Sequence, residues 1–282
     1  MALRASGTAG SVTVVTSASI GVIGGSGFYS WLDDAVAVDV DTPFGPPSDP
    51  PMVGEVSGRS VAFIPRHGRH HRWPPHRVNY RANLWALRAL GVRQVIAPCA
   101  VGSLRADLGP GSLVVPDQVI DRTFGRAGTL FDGEGPVVHV SFADPYCARG
   151  RGAVLAAAAD QGWPGQDGGT LVVVNGPRFS TRAESRWHAA AGGHIVGMTG
   201  LPEATLAREL AVCYTGVAVV TDLDAGFETG DGVTHAEVME TFGRSIGALR
   251  QVLADVVSRL PLDDACACRH SLDGHTLPFE LP

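Results

Sequence analysis

Short aliphatic and β-branched runs recur along this chain, and each is stopped by glycine, proline or a polar cluster. Ile20-Gly21-Val22-Ile23 breaks at Gly24-Gly25-Ser26-Gly27, and Val61-Ala62-Phe63-Ile64 stops at Pro65-Arg66-His67. The run 170–174 ends at Asn175-Gly176-Pro177, and 217–220 runs into Thr221-Asp222-Leu223-Asp224. Helical periods lie between them. Leu84, Ala86, Leu87 and Leu90 share one side of 79–90; 145–161 is Ala-rich; Ser180 or Thr181 followed by Glu184 gives a capping box for 181–191. A Pro-started helix is expected over 202–212, and Val238, Phe242, Ile246, Leu249, Val252 and Val256 mark 235–259. Paired strands over 51–65, strands at 94–97 and 112–115, each stopped by proline, and a short one at 194–198 complete the pattern. This alternation is the rhythm of βαβ units. It predicts an α/β fold: one domain with a mixed, mostly parallel central sheet flanked by helices.

The domain is expected over 19–260, after a disordered leader at 1–18 and before a C-terminal tail at 261–282. With 45% apolar and 18% charged residues the chain can bury a substantial core, and no run is long enough to span a membrane. A net charge of −6 opposes nucleic acid as a partner. All 22 basic residues are arginine, which removes Schiff-base chemistry and the phosphate-binding loop that needs lysine. Five scattered cysteines read as reduced and the protein as cytoplasmic. Cys266-Ala267-Cys268 lacks a second local pair, so it reads as a free tail and no metal is expected.

Four segments carry chemistry. Arg66-His67-Gly68-Arg69-His70-His71-Arg72 puts guanidinium forks at a strand end, where α/β sheets bind ligands and where such forks match phosphate oxygens. The structural alternative is a solvated basic loop. Gly24–Gly27 can turn backbone amides inward around an anion, with Ser26 adding a hydroxyl; it fails the dinucleotide spacing, and a plain turn remains open. Asn175 to Glu184 brings Phe179 and the hydroxyls of Ser180 and Thr181 to a helix start, suited to a flat heterocycle or to a core-packed cap. Asp222 and Asp224 close an apolar strand, as ligand-facing carboxyls or as a hairpin turn.

In order, Pro65-Arg66-His67-Gly68, Asn79-Tyr80-Arg81-Ala82-Asn83, Val101-Gly102-Ser103-Leu104-Arg105, Gly176 through Glu184 and Thr221 through Asp224 resemble the trimeric purine nucleoside phosphorylases. The branch they resemble is the 5'-methylthioadenosine phosphorylases, and the resemblance runs from about Ile20 to Arg259. It implies a pentosyltransferase of purine salvage, with nucleoside and inorganic phosphate as co-substrates and no cofactor. Phosphate attacks C1′ and the purine leaves, giving an α-ribose 1-phosphate. By the same resemblance, Ser26, Arg66, His67, Cys99, Ala100 and Thr199 fall at phosphate positions. Asp222 and Asp224 are the catalytic pair, Phe179 and Ser180 belong to the base site, and Met198 packs under the ribose. His71, His235, Val238 and Met239 belong to the 5' end. His139 is expected to reach a neighbouring site in a homotrimer.

Departures from the family's pattern are Cys99, where relatives offer a hydroxyl, and Asn175, where they carry Glu. Ser180 and Asp222 stand where the 6-oxopurine branch has Glu and Asn, which favours adenine because Asp accepts from a 6-amino group. His235 favours inosine or guanosine instead, so a purine nucleoside phosphorylase is the alternative. The 5' substituent is left open among methylthio, hydroxyl and halogen.

Overall fold

The computed structural model describes residues 4–5, 17–25, 28, 31–32, 35–226 and 233–282. Twelve strands lie among these residues: β1 (Arg4–Ala5), β2 (Ile20–Gly24), β3 (Val36–Asp39), β4 (Met52–Val56), β5 (Arg59–Pro65), β6 (Gln94–Ser103), β7 (Leu113–Val115), β8 (Gln118–Arg122), β9 (Gln166–Asp167), β10 (Thr170–Val174), β11 (Ile195–Gly197) and β12 (Cys213–Asp222). Five helices accompany them: α1 (Tyr80–Ala89), α2 (Ala148–Asp160), α3 (Arg182–Ala190), α4 (Gly200–Glu209) and α5 (His235–Arg259). The sheet order is β1-β3-β4-β5-β2-β6-β11-β10-β8, with β12 on β6 and carrying β7 and then β9. Pairings β2/β5, β2/β6, β6/β12, β10/β11 and β8/β10 are parallel, whereas β11 runs antiparallel to β6. The predicted mixed, mostly parallel sheet is what forms.

The strands are apolar on both faces because both faces are covered. Successive residues of β5 alternate between two cores: Ala62 and Ile64 join α1 and α4, whereas Val61 and Phe63 join α2 and α5. In β12, Ala218 and Val220 go to the first core, and Val217 and Val219 to the second. The helix over 235–259 forms as predicted, capped by Thr234 and Glu237, and α3 begins with the Thr181/Glu184 capping box.

Two expectations are corrected. The strand at 94–97 does not stop at Pro98 but runs on to Ser103. Pro98 lies past Ile96, the last β6 residue in register with β2, so its missing N–H takes nothing from that ladder. Its carbonyl accepts from Arg66 Nη1 at 3.0 Å. Nor is 261–282 a free tail. Phe279 packs against Phe131 and Trp85, Arg88 Nη1 donates to Pro282 O, and Gln94 Nε2 donates to Pro261 O. The expected leader lies largely outside the described residues, although Ala18 is buried and its N–H donates to Leu90 O.

Helix α2 reaches β12 closely because Gly150 has no side chain: a Cβ there would stand 2.0 Å from Thr215 Oγ1. Gly150→Ala should therefore destabilise the protein by about 1–3 kcal/mol through overpacking. Urea unfolding should show most of that loss relieved when Thr215→Ala is added.

Candidate active site

The carboxyl ends of β2, β5, β10, β11 and β12, together with the middle of β6, open onto one cavity of about 400 Å³. Its lining includes Arg66 and His67 after β5, Cys99 to Gly102 on β6, Met198 and Thr199 after β11, and Asp222 and Asp224 at the end of β12.

At one end the cavity is built for an anion. Arg66 is only 2% exposed and forms a fork with the fully buried Glu203 of α4: Nε donates to Oε1 at 2.6 Å and Nη2 to Oε2 at 3.1 Å. Nη2 also reaches Ile23 O at 2.9 Å, and Nη1 reaches Pro98 O. A guanidinium has five N–H groups. Four are committed here, which leaves one on Nη1. Burial opposes the Arg66 charge, but Glu203 outweighs it and holds the guanidinium firmly protonated. Thr199 makes no side-chain capping bond, and extended Leu201 separates it from the regular turns of α4, so its hydroxyl borders the cavity free of a capping role. Trp73 O can only accept, so His67 Nδ1, 2.8 Å away, carries the proton and Nε2 is an acceptor. Burial, and then the Arg66 charge, pull the His67 pKa down to about 3, which keeps the ring neutral. Burial pushes the Cys99 thiol up to about 11 against the pull of Arg66, so it stays protonated and offers only a weak donor.

At the other end are two carboxyls that the strand pairing forces close together. Asp222 pairs with Gly102 across a register shift in β6/β12, and a Cβ on Gly102 would stand 2.8 Å from both Asp222 Oδ1 and Asp224 Cβ. Glycine is what lets the pair sit against β6. Burial pushes Asp222 up to about 6; the Thr221 hydroxyl, 2.7 Å from Oδ2, holds it back, and the Asp224 and Glu237 charges push it further. Asp224 is raised too, chiefly by burial, and is restrained by Ser185 Oγ, which donates to Oδ2 at 2.6 Å. Phe179 borders the same space, and the Ser180 hydroxyl sits near enough to Asp224 to help hold that carboxyl down. Donors and acceptors around a flat, partly apolar slot suit a heterocycle. Apolar Val238, Met239 and Phe242 of α5 close the far side with His71 and His235. His71 stacks on His67, with centroids 4.0 Å apart, and its pKa is lowered by burial and by the His235 and Arg66 charges.

Residues 19–258 match the family model described as Phosphorylase superfamily. This chain belongs to the phosphorylase superfamily. It is 60% identical over 274 residues to a purine nucleoside phosphorylase of Streptomyces coelicolor, covering 94% of this chain and 98% of that protein. It is 57% identical over 265 residues to an S-methyl-5'-thioadenosine phosphorylase of Mycolicibacterium smegmatis, covering 93% and 99%. Among solved structures it is similar to a methylthioadenosine phosphorylase from an Antarctic soil metagenomic library, with TM-score 0.85, 39% identity and 92% coverage of both chains. It is also similar to the Schistosoma mansoni methylthioadenosine phosphorylase in complex with adenine, with TM-score 0.80 and 38% identity over 86% of this chain and 91% of that one.

Set against the phosphorylase pattern, Arg66, His67, His71, Cys99, Ala100, Phe179, Ser180, Met198, Thr199, Asp222, Asp224, His235, Val238 and Met239 all line the one cavity. Ser26 lies outside the described residues. His139 is exposed and does not border this cavity; its carbonyl accepts from His275 Nε2 at 3.1 Å. The basic run divides. Arg69 and Arg72 turn to Asp49, with Arg69 Nε at 3.1 Å, so they serve the neighbouring loop and not the cavity. Asn175 also stays out of the lining, its Oδ1 3.3 Å from Arg126 Nε.

Sequence reasoning missed Glu203, Ser185 and Gly102, which position Arg66, Asp224 and the Asp pair. Glu203 shares α4 with Glu209 and Arg208, so nothing in its local sequence singles it out.

Two measurements follow from this geometry. Glu203→Gln leaves the Arg66 charge buried without its counter-ion and should cost about 3–5 kcal/mol in chemical denaturation. The raised folded-state pKa of Asp222 means that its contribution to stability is present below the unfolded value of 3.8 and is lost as pH rises through about 6. Asp222→Asn should thus match the parent below pH 4 and exceed it at pH 8 by about 2–3 kcal/mol.

Proposed function

We propose that this chain catalyses the phosphorolysis of a 5'-substituted adenosine, with methylthio the preferred substituent, releasing adenine and a 5-substituted α-ribose 1-phosphate. The observation that carries this reading is the single cavity that joins an anion end at Arg66 and Thr199 to the raised carboxyl pair Asp222 and Asp224.

Inorganic phosphate is held by the remaining Arg66 N–H, the Thr199 hydroxyl and the Ala100 amide. His67 Nε2 accepts from a P–OH group of that anion. Holding phosphate in line with C1′ turns a bimolecular encounter into an intramolecular step. A phosphate oxygen then forms the bond to C1′ as the C1′–N9 bond breaks, and the electron pair passes into the purine. The leaving base needs a proton at N7. A carboxyl with a pKa near 6 is protonated in about a tenth of molecules at pH 7, against about a thousandth for an ordinary Asp. Asp222 is therefore the acid, Asp224 is held by Ser185 and Ser180, and the Ser180 hydroxyl and Asp224 face the base. Phe179 lies against the ring, Met198 under the ribose, and Val238, Met239 and Phe242 give the 5' group an apolar wall.

The reading extends to a cytoplasmic homotrimer of purine salvage in which His139 serves a neighbouring site. Its exposed position away from this chain's own cavity is consistent with that role. No helix of the described residues is long and apolar enough to cross a membrane. A second reading, cleavage of inosine or guanosine, is favoured by His235 in the lining and by the name of the Streptomyces coelicolor relative.

Free base release from methylthioadenosine, adenosine and inosine, each with and without phosphate, tests this directly. Phosphate-dependent adenine release fastest from methylthioadenosine is expected, with Asp222→Asn lowering kcat by about 10²–10⁴-fold. Preference for inosine would transfer the enzyme to the second reading, and release independent of phosphate would sink both.

A further inference from the structure

The cysteines that looked scattered along the sequence meet in space. Cys147 is the N-cap of α2, Cys213 opens β12, and in the docked C-terminal segment Cys266 caps the short turn Ala267–His270 that contains Cys268. All four are buried, and their Sγ atoms lie within 4.8 Å of one another. Cys147 and Cys266 are 3.6 Å apart. Zinc–thiolate bonds of about 2.3 Å set the sulfur–sulfur edges of a tetrahedron at about 3.8 Å. The cluster is thus close to the spacing a metal imposes, since no sulfur lies more than 4.8 Å from any other.

We propose that Cys147, Cys213, Cys266 and Cys268 form a tetrathiolate site for one zinc ion that fastens the C-terminal segment to the sheet. Each thiol gives up its proton on binding, and the centre then carries two net negative charges. The surroundings suit that charge. The Gly150 amide donates to Cys147 Sγ at 3.5 Å, Arg208 Nη2 reaches Cys268 Sγ at 4.0 Å, and Arg149 lies within electrostatic reach of Cys147 and Cys266. Cys147 also sits at the positive end of α2. His270 is not a ligand, since its two ring nitrogens are engaged by Asp273 and by Asp264 O. The role is structural. Cys213 and Asp222 are opposite ends of a ten-residue strand, about 30 Å apart at 3.3 Å per residue.

The test uses the full chain purified without chelators. Elemental analysis should find about one zinc per chain, and thiol titration after unfolding without reductant should count all five cysteines. Replacement by Co²⁺ should give thiolate charge-transfer and tetrahedral d–d bands. Cys213→Ser and Cys268→Ser should lower zinc retention about tenfold or more, while Cys99→Ser, outside the cluster, retains it. Chelation should lower Tm, and Zn²⁺ alone should restore it. A count of one thiol with no zinc would mean two disulfides and would overturn the proposal. So would five thiols with neither zinc content, a Co²⁺ spectrum nor a Tm response to added metal. If the serine variants do not fold, the cobalt spectrum of the unaltered chain decides.

Discussion

The site depends on one ion pair. Arg66 and Glu203 are both removed from water, an arrangement that costs more in desolvation than an exposed pair could return. It survives because nearly every polar atom is matched: Glu203 takes two guanidinium bonds and the Tyr214 hydroxyl at 2.8 Å, and Arg66 spends its other donors on Ile23 O and Pro98 O. Only a planar, multi-donor cation can tie β2, β5, β6 and α4 together in this way, and a lysine could not. The pair is also nearly neutral as a unit. In the proposed function the anion end therefore recruits its ligand with fixed donors more than with excess charge.

Topology explains why this happens in the middle of the sheet. Parallel strands deliver their carboxyl ends to one edge, the usual place for a ligand. Here β11 is antiparallel to β6, with Val196 opposite Gly102, so Met198 and Thr199 emerge beside the middle of β6. On its other side β12 runs parallel to β6 and brings Asp222 to the same Gly102. Gly102 thus lies between Val196, two residues before Met198, and the acid pair. A side chain at that point would displace the two carboxyls.

Much of this was legible because chemistry-bearing residues sit where apolar runs stop. Arg66-His67, Phe179-Ser180 and Asp222/Asp224 all follow strands, and motif order connected them to a family. What escaped notice had no local punctuation. Ser185 and Glu203 lie inside helices whose periodicity reports only packing. Pro98 looked like a strand terminator because its lost partner, the end of β2, is set by register and not by sequence. The tail looked loose because its anchors, Trp85 and Phe131, are far away in the chain. The thiol cluster draws on residues 147, 213, 266 and 268, a spacing that means nothing until α2, β12 and the tail are packed.

The acid pair shows how the cavity and its ligand complete each other. Two buried carboxyls would ordinarily be met by a cation, yet Asp222 is held down by the Thr221 hydroxyl alone, whereas Asp224 has the Ser185 and Ser180 hydroxyls and the His188 ring. The nearest fixed guanidinium in the lining, Arg66, is already matched by Glu203. Asp222 is left raised because the protein supplies burial without a counter-charge. In the proposed phosphorolysis a purine placed against Phe179 would supply what is missing: an exocyclic amine to donate, and a ring nitrogen that becomes more basic as the glycosidic bond breaks. The departing base would then take the proton that burial holds on Asp222, so that the carboxyl is matched to the transition state better than to the nucleoside, which is the condition for rate acceleration.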